Sequence, residues 1–422
     1  MMIQKLTHKT VLMSSFALAL LSIILYREYA WERYGFGLTS VYFTIIALYF
    51  LMMLLTASIG SDKYQSLPVP KGRTIAIIPS YNEPDENVHH AVKALLNGTL
   101  PPDEIHVVDD GSVKPLKPFK HPKVFWHKQS NGGKRSAQTL VLSKIKPGKF
   151  DYLITVDSDS RVAPTAIEDS LRPFNDPSIQ AVTSTVTIRN RTTSLITLLA
   201  DLEIVTGVFV VRRARSYFGA VAPTSGALSV YRIDTILENL HDYLHSGTFS
   251  DDRRMAHYSL LKGKVISVNG AVVDTDMPHT FKGTWRQRVR WYKGYWKYLP
   301  WEAAHLSGWP LFMRYMSTLN AVVFPFAFFW IAIYLPITGR GIFWPVLILW
   351  LALLYAQSAS YLMRPNINIG TKVLTWLLAT PLLIPYQVLL VRPAMYWAAI
   401  TATNTRWNGH RETASNSTTI KK

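Results

Sequence analysis

Short acidic motifs recur in the middle of this chain, and each directly follows an apolar stretch. They are Pro79-Ser80-Tyr81-Asn82-Glu83, Asp109-Asp110-Gly111-Ser112 and Asp157-Ser158-Asp159. Carboxylate oxygens bind hard divalent cations, and a Mg²⁺ or Mn²⁺ site is usually completed by substrate phosphates. Two adjacent carboxylates repel each other unless a donor satisfies them, and a uracil imide or ribose hydroxyls would do so. The motifs therefore indicate a nucleotide site, although each one alone also fits an ordinary turn.

Two further motifs carry groups that could act on a bound substrate. They are Asn131-Gly132-Gly133-Lys134-Arg135 and Ser250-Asp251-Asp252-Arg253. In the first, amides and cations could meet a pyrophosphate, or the run could be a flexible loop. In the second, a carboxylate could remove a proton from an attacking hydroxyl, while the same residues also suit the first turn of a helix. Both interpretations of each motif stay open on the residues alone.

A basic and aromatic run, Gln287-Arg288-Val289-Arg290-Trp291, lies just upstream of a hydrophobic C-terminal third. A guanidinium such as that of Arg290 matches a diphosphate in a bidentate geometry, and Trp291 offers a flat face on which a sugar ring could pack. More aromatic residues follow closely: Trp285, Tyr292, Tyr295, Trp296, Tyr298 and Trp301. They could line a glycan path or form an aromatic belt at a membrane interface, and we favour the belt for most of them.

The elements that must position these motifs have an α/β pattern. Apolar runs at 74–78, 104–108 and 152–156 predict strands, and 87–96 predicts a helix between the first two. Strands that alternate with helices imply a parallel-dominated sheet that is covered on both faces. Ligands of such sheets bind beyond the carboxyl ends of the strands, where all three acidic motifs lie. The motifs should therefore converge on one pocket.

Long apolar runs flank this polar middle on both sides. They span residues 10–26, 38–59, 319–337, 342–363 and 373–391. Each is near the roughly 20 residues that a helix needs to cross hydrocarbon, so five membrane spans are expected. The first run resembles a secretory signal, but a second span follows so soon that we expect it to be retained. The last run is broken by prolines, which indicates a span with a re-entrant or interfacial segment.

The domain organisation follows from these runs. Residues 1–61 should form two transmembrane helices, 62–310 a cytoplasmic α/β domain that ends in interfacial helices, 311–404 further transmembrane helices, and 405–422 a polar tail. Lys5 and Lys9 precede the first span, and Lys63, Lys71 and Arg73 follow the second. Because positive residues favour the cytoplasmic side, the polar middle is expected in the cytoplasm of a multi-pass protein of the plasma (inner) membrane.

Composition narrows the classes further. The chain has 422 residues and a formal net charge of +18, which suits anionic phosphate substrates and the cytoplasmic flanks of spans. Nucleic-acid binding is not expected, because the basic residues are scattered among acidic motifs and apolar runs. The chain contains no cysteine, which excludes disulfides, a thiol nucleophile and thiolate metal sites.

With its motifs in this order, the chain resembles membrane-embedded, processive family-2 glycosyltransferases. Within that group it is most similar to hyaluronan synthases and their chitin-oligomer and poly-N-acetylglucosamine relatives. The resemblance extends from Thr74 to about Arg411. Besides the motifs above, it rests on Ser225-Gly226-Ala227-Leu228-Ser229-Val230-Tyr231-Arg232, Asp274-Thr275-Asp276-Met277-Pro278 and Asn404-Thr405-Arg406-Trp407-Asn408-Gly409.

The resemblance implies roles for the matched positions. The UDP-sugar would be bound by Pro79, Tyr81, Glu83, Asp109, Asp110, Lys134, Asp157, Arg253, Gln287 and Arg290. A Mg²⁺ or Mn²⁺ ion would lie between Asp157 and Asp159, with Asp159 as the direct ligand. Asp252 would be the general base, assisted by Asp251 and Arg290. The acceptor sugar would contact Trp291, Asp252 and Gly226.

The same resemblance implies a glycosyltransferase-A-like cytoplasmic domain beside an α-helical transmembrane bundle with interfacial helices. Its activity would be inverting polymerisation of UDP-sugars with β-linkages, with membrane lipids around the protein and export of the growing polysaccharide. Hyaluronan from UDP-GlcNAc and UDP-GlcA is the leading prediction. The alternatives are chitin or poly-N-acetylglucosamine synthesis, a non-processive lipid-linked transferase, and a transporter or receptor with a degenerate nucleotide-binding domain.

Four departures from the hyaluronan synthase pattern leave the identity of the sugar open. Ser250 stands where many of these enzymes have Gly, and Ala227 where they have Pro. Arg288 replaces the second Gln of their pentapeptide, as in cellulose synthases, and the motif at 404–409 ends in Asn408 and Gly409 instead of Gly and Thr. None of these changes removes a proposed catalytic group.

Overall fold

The computed structural model describes residues 8–34, 38–60, 64–247, 250–339 and 344–402. The chain divides into two compact units. An apolar unit comprises Met1–Ser61, Leu198–Phe218 and Ser307–Pro393, and an α/β unit comprises Asp62–Thr197, Gly219–Leu306 and Ala394–Lys422. The motif at 404–409, the tail at 405–422, Lys5 and Lys63 lie outside the described residues.

The α/β unit contains a mixed sheet. Its strands are β1 (Thr74–Ser80), β2 (Glu104–Asp110), β3 (Val124–Gln129), β4 (Tyr152–Val156), β5 (Arg161–Val162), β6 (Ile179–Ile188), β7 (Leu228–Arg232) and β8 (Lys264–Thr275). Their order in the sheet is β3-β2-β1-β4-β7-β6-β8-β5. Neighbours from β3 to β4 are parallel, as are β6 and β8, whereas β7 is antiparallel to both of its neighbours and β5 to β8. The predicted α/β class is confirmed, with a larger antiparallel share than expected.

The helices complete both units. In chain order they are α1 (His8–Tyr34), α2 (Leu38–Ile59), α3 (Asp85–Leu96), α4 (Lys134–Leu142), α5 (Ala166–Leu171), α6 (Leu195–Thr206), α7 (Arg213–Tyr217), α8 (Ile233–Leu237), α9 (Leu240–His245), α10 (Asp251–Lys262), α11 (Phe281–Lys297), α12 (Leu299–His305), α13 (Gly308–Phe329), α14 (Leu335–Ile337), α15 (Trp344–Ser358), α16 (Ile369–Ala379), α17 (Leu383–Tyr386) and α18 (Arg392–Ile400). Single 3₁₀ or π turns connect several of them: Arg172–Asn175, Gly207–Arg212, Trp330–Tyr334, Ala359–Met363 and Gln387–Val391.

The edge of the sheet that holds the acidic motifs is set by the central strands. Every residue of β1 and β4 is buried, as their β-branched and apolar sequences dictate. Register pairs Ser80 with Asp109 at the ends of β1 and β2, and Ile77 with Thr155 near the end of β4. The three predicted strands and the helix are therefore present, and their carboxyl ends meet at one edge, as predicted.

The sheet is anchored on one side by α4 and α10. Ile77 and Val108 of the sheet belong to the same buried cluster as Ala137 of α4 and Met255 of α10. Each fully buried aliphatic side chain contributes roughly 1.5–3 kcal/mol by leaving water. This packing fixes the first turns of both helices, which carry Lys134 and Asp251, relative to the strand ends.

The apolar unit contains the long apolar helices that could span a membrane. Among the described residues, three helices are long and apolar enough to cross a membrane, at His8–Glu28, Gly308–Ile337 and Trp344–Met363. The pair Ile369–Ala379 and Leu383–Ile400 is bent by 67°, and it adds a fourth span only if counted as one. Thr44–Ile59, within α2, is a shorter apolar stretch. Five spans stay a prediction, because α2 as a whole has 22 residues and the bent pair can count as one span.

A buried ion pair holds elements of the apolar unit together. Arg364 Nε lies 2.8 Å from Asp201 Oδ2 on α6, and the Tyr361 hydroxyl donates to the same oxygen at 2.6 Å. Asp201 is fully buried. A buried carboxylate requires such partners, because removing either charge alone would leave the other unpaired. This ion pair therefore ties α6 to the apolar helices, although α6 lies within the stretch that was expected to be cytoplasmic.

Candidate active site

The two aspartates at the end of β2 receive their hydrogen bonds from the chain itself. Asp109 accepts from the amides of Ser112 (3.0 Å) and Leu116 (3.1 Å). Asp110 accepts from the amides of Gly132 (2.9 Å) and Gly133 (2.8 Å). These amides relieve the repulsion for which nucleotide donors were expected. They also commit the amides of Gly132 and Gly133 to a carboxylate and not to a pyrophosphate.

The loop after β1 is tied to the loop after β2. Asn82 has a left-handed backbone (φ 53°), which asparagine tolerates because its short side chain can bond locally. Its amide donates to Ser112 Oγ at 2.8 Å, and its side-chain oxygen accepts from the Val113 amide at 2.9 Å. Tyr81 and Glu83, on either side, are partly buried, and Pro79 is a buried residue of β1. The first two acidic motifs therefore form one joined rim.

Lys134 connects three motifs that lie far apart in sequence. Its Nζ atom is 2.7 Å from Asp157 Oδ1, which follows β4, and 2.8 Å from Asp251 Oδ2, in the first turn of α10. Burial disfavours the ammonium charge, but the two carboxylates outweigh burial and raise the pKa of Lys134. The lysine is therefore a permanent cation between the proposed donor side and the proposed base.

Gly226 leaves space beside this bridge. A Cβ atom at Gly226 would lie 3.0 Å from Asp157 Oδ2 and 3.1 Å from Lys134 Nζ, closer than ordinary contacts. The neighbouring Thr224 Oγ1 donates to the backbone oxygen of Asp252 at 2.9 Å. The loop before β7 thus lies against both the Lys134 bridge and the first turn of α10. The predicted acceptor residue Gly226 is adjacent to the predicted catalytic pair.

The surroundings of Asp252 raise its pKa, which suits it to accept a proton. Burial raises the pKa of Asp252 to about 6, the adjacent Asp251 carboxylate adds to the shift, and the Lys134 ammonium opposes it. Its Oδ1 accepts from the Arg253 amide at 2.8 Å. A carboxylate with this pKa is mostly ionised at neutral pH yet more basic than an ordinary aspartate.

Behind the base lies an ionic network that the sequence reasoning missed. Arg253 Nη1 donates to Glu302 Oε1 at 3.0 Å, and His257 Nε2 lies 2.8 Å from the same oxygen. Glu302 is 1% exposed and His257 is fully buried. The Arg253 guanidinium, predicted to bind the donor, is therefore directed to Glu302 in this structure. The sequence contained one indication that Glu302 has a special role, because it is the only acidic residue between Asp276 and Glu412.

Arg135, one of the two cations that the 131–135 motif offered to a pyrophosphate, instead fastens the segment before α10. Its guanidinium donates to Tyr243 O (3.1 Å), Ser250 O (3.2 Å) and the Tyr298 hydroxyl (3.0 Å), as well as to Ser246 Oγ. Arg135 is buried, so these bonds form in a low dielectric, where they are strong. Arg135 therefore holds the start of α10 against α4.

Two of the aromatic residues considered for a belt pack against buried groups. Tyr298 is 4% exposed and receives the Arg135 hydrogen bond. Trp301 stacks on His257 with ring centroids 4.7 Å apart, and the Arg254 guanidinium lies 4.5 Å from its ring centroid. Both rings pack within the α/β unit, because they cover buried charged groups there.

The Gln287, Arg290 and Trp291 side chains share one face of α11. Their i, i+3, i+4 spacing places them in adjacent turns. The helix begins after Thr280, whose side chain accepts from the Gly283 amide at 3.1 Å. Trp291 is 37% exposed, and the buried Arg288 guanidinium lies 4.9 Å from its ring centroid. A cation below the ring restricts its rotation and supports it as a flat binding surface.

Asp157 and Asp159 supply a partial ligand set for a divalent cation. Both are partly buried directly after β4, and Asp157 already neutralises one cation, the Lys134 ammonium. Within the described parts of the chain, no group of three or more His, Cys, Asp or Glu residues could hold a metal. Two carboxylates fit a Mg²⁺ or Mn²⁺ that is completed by phosphate oxygens, which is how such ions are commonly held.

Direct contacts thus join Lys134 to Asp157 and Asp251 at one edge of the sheet, with Gly226 beside them and Asp110 bonded to the Gly133 amide that precedes Lys134. Asp252 adjoins Asp251, and Tyr81, Glu83 and Asp109 lie at the same edge. Arg253 points to a structural partner. The result is a group of carboxylates around the Lys134 ammonium, in the same unit as the α11 helix that carries Arg290 and Trp291.

Three comparisons relate this chain to known proteins. Residues 70–294 match the family model described as glycosyltransferase like family 2. The chain is 32% identical over 308 residues to hyaluronan synthase of Streptococcus pyogenes serotype M1, covering 68% of this chain and 71% of that protein. It is 28% identical over 276 residues to an N-acetylglucosaminyltransferase of Rhizobium meliloti (strain 1021), covering 60% of this chain and 63% of that protein.

A solved structure has a similar fold. The mannosyltransferase PcManGT from Pyrobaculum calidifontis, in complex with GDP-Man and Mn²⁺, aligns with a TM-score of 0.52 and 16% identity. The alignment covers 88% of this chain and 100% of that one. At this identity the likeness concerns the fold alone.

Proposed function

Because this chain belongs to glycosyltransferase family 2, we propose that it is a membrane-embedded synthase that polymerises UDP-sugars into a β-linked polysaccharide. The leading product is hyaluronan, made from UDP-GlcNAc and UDP-GlcA. The similarity to a streptococcal hyaluronan synthase supports this choice. The observation that carries the proposal is the position of Lys134 between Asp157 and Asp251. It joins the end of β4, where phosphate would bind, to the residue next to the proposed base Asp252.

The donor would bind along the rim formed by β1, β2 and β4. Tyr81 offers a face for uracil, and Asp109 or Asp110 would accept from its imide or from the ribose with lone pairs that remain after the backbone bonds. Pro79 and Glu83 shape the same rim. Lys134 would contact the diphosphate. A Mg²⁺ or Mn²⁺ ion held by Asp157 and Asp159 would neutralise phosphate charge when it is bound.

Transfer would be a single displacement. An acceptor hydroxyl attacks the anomeric carbon, the bond from that carbon to the phosphate oxygen breaks, and UDP departs with the electron pair. Asp252 accepts the hydroxyl proton, for which its raised pKa of about 6 suits it. Attack opposite the leaving group inverts the anomeric centre, which converts an α-linked donor into a β-linkage. Asp251 would keep the base basic by its adjacent charge.

The α11 face would close the site. Arg290 would stabilise charge that develops on the departing diphosphate, and Gln287 would hydrogen-bond the same group. Trp291, supported by Arg288, would stack on the acceptor sugar near Gly226. The Arg253 guanidinium is held by Glu302, so it would not contact the donor itself. Arg253 would affect the donor indirectly, through the position of the α10 backbone. Each role depends on the cleft that surrounds the Lys134 bridge.

The apolar unit supports a location in a membrane. Its long apolar helices can cross hydrocarbon, and lipids would surround them. We further propose that the α/β unit lies in the cytoplasm, where UDP-sugars are present, and that the apolar helices guide the polymer outward. The bias of Lys9, Lys71 and Arg73 towards one side supports this orientation.

The decisive experiment incubates purified protein with Mn²⁺ and labelled UDP-GlcNAc, with and without UDP-GlcA. Long polymer that requires both donors and is digested by a hyaluronan-specific lyase is the expected result. Polymer from UDP-GlcNAc alone would replace hyaluronan with chitin or poly-N-acetylglucosamine. A lipid carrying one sugar would indicate a non-processive transferase. Absence of UDP release with any UDP-sugar would refute the proposal.

A further inference from the structure

Gly294 stands inside α11, at a position where glycine weakens a helix. A glycine in a helix interior costs roughly 1 kcal/mol relative to alanine. Gly294 is buried, and a Cβ atom built there would overlap Ser250 Oγ and lie 2.6 Å from Ser250 Cβ. No side chain therefore fits unless α11 or Ser250 moves. The glycine permits a close approach between two elements.

Ser250 is held firmly on its side of this contact. It has a left-handed backbone (φ 55°, ψ 59°) directly before Asp251. Its carbonyl oxygen accepts from the buried Arg135 guanidinium and from the Arg254 amide, both at 3.2 Å. A residue fixed by two hydrogen bonds in a strained conformation yields poorly to a new methyl group. The helix would have to move instead.

The same face of α11 is attached to this segment one turn further on. Lys297 Nζ donates to Ser246 O at 2.6 Å, and the Tyr298 hydroxyl donates to the same oxygen at 3.1 Å. Arg290 and Trp291 lie about one turn before Gly294, roughly 4.5–6 Å away along the axis. Their i+3 and i+4 relation to Gly294 puts them on the face that meets the start of α10.

We propose that Gly294 is a positioning residue for sugar transfer. It lets α11 touch Ser250, and this contact sets the distance from the Arg290 and Trp291 face to the Asp251–Asp252 pair. The inference rests on the proposed function, because it assigns those residues to the two sides of the reacting bond. Gly294 itself contacts no substrate.

The test is Gly294→Ala combined with two substitutions at Ser250. The added methyl must displace α11 by roughly 1 Å, and a displacement of that size costs on the order of 10²-fold in transfer rate. Ser250→Gly in the same chain leaves only Cα near the methyl, at an ordinary 3.8 Å, and should restore transfer. Ser250→Ala keeps the Cβ atom at 2.6 Å and should not.

Binding of UMP separates positioning from general damage. UMP lacks the terminal phosphate that Arg290 and Gln287 would meet, and the nucleotide rim on β1, β2 and β4 does not include Gly294. Calorimetry should therefore give all variants an affinity for UMP within about threefold of the wild type. Gly207→Ala is the matched control, because a Cβ there meets nothing within 4 Å. It should leave transfer unchanged.

Three results would overturn the positioning role: full transfer by Gly294→Ala, loss of UMP binding together with transfer, or equal rescue by Ser250→Gly and Ser250→Ala. These outcomes are read on any sugar that the wild-type protein transfers, whatever the polymer. A wild-type protein that transfers no sugar would instead refute the proposed function, and the positioning role with it.

Discussion

The ionisation of Asp252 predicts a distinct pH profile for turnover. With a pKa of about 6, the carboxylate is roughly 90% ionised at pH 7 and roughly 10% ionised at pH 5. Because the ionised form is the base, turnover is present above this pKa and falls about tenfold between pH 7 and pH 5. An aspartate with the ordinary value of 3.8 would stay mostly ionised over the same range.

The acid limb of the profile is the pH range over which turnover falls as the medium becomes more acidic. Two substitutions should move it in opposite directions. Asp251→Asn removes the neighbouring charge that raises the pKa of Asp252, so the limb should shift to lower pH. Lys134→Met removes the ammonium that lowers the pKa of Asp252, so the limb should shift to higher pH even if the maximal rate drops. Asp234→Asn, which changes an exposed carboxylate at the start of α8, is the charge-matched control and should leave the limb in place.

The assay is the initial rate of UDP release at saturating donor, measured from pH 4.5 to pH 8 in detergent. UDP binding is recorded at each pH, so that loss of donor is not mistaken for loss of the base. Two results would refute the assignment of Asp252 as the base. One is turnover that falls only below about pH 4.5, and the other is an acid limb whose position is unchanged in the Asp251 and Lys134 variants.

Three further outcomes follow from the contacts. Glu302→Ala should lower stability by about 3–5 kcal/mol, because it leaves the buried Arg253 charge unpaired, and thermal inactivation of the detergent-solubilised enzyme measures this. Asp110→Ala should weaken UDP binding in calorimetry, because the Gly132 and Gly133 amides lose their acceptor and the loop before Lys134 loosens; unchanged affinity would contradict this role. Burial lowers the pKa of His257 to about 4, so the stability gained from its neutral form is complete above pH 6.5 and is lost as pH falls towards 4. His257→Gln should flatten this decline of stability with falling pH in thermal scans. An acid profile that is unchanged in the variant would count against this role of His257.

The strand ends could be predicted because their signal is local. Apolar runs that stop at Pro79, Asp109 and Asp157 mark buried strands, and the direction of parallel strands puts their ends at one edge. The fold class and the convergence of the motifs followed from these rules. The antiparallel strand β7 was not anticipated, because its pairing with β4 and β6 joins segments distant in sequence.

Side-chain partners were the less predictable part. The contact of Lys134 with Asp251 and that of Arg253 with Glu302 depend on how α10 packs on α4 and α12, which no short motif encodes. Tyr298 was considered for a belt because its aromatic neighbours suggest an interface, whereas its hydroxyl completes a buried network. Periodicity gives a face of a helix, but the partner of that face follows only from tertiary packing.

The break in the last apolar run could be predicted from its prolines. Hydropathy alone reports length and composition, and by both criteria the run at 373–391 is long and apolar enough to span a membrane. Pro381 lies in the break between α16 and α17, where it cannot continue the backbone hydrogen bonds of the first helix. The resulting bend of 67° divides one apolar run into two shorter helices.

The central claim is that carboxylates from distant parts of the chain form one site that performs the transfer. One measurement tests this claim most directly. Asp252→Asn keeps the size of the side chain but removes the base, and its UDP affinity and polymer yield can be compared with those of the unaltered enzyme. We expect UDP to bind within about threefold of normal while polymer formation falls by about 10²–10⁴-fold. Polymer formation at the normal rate in this variant would contradict the account.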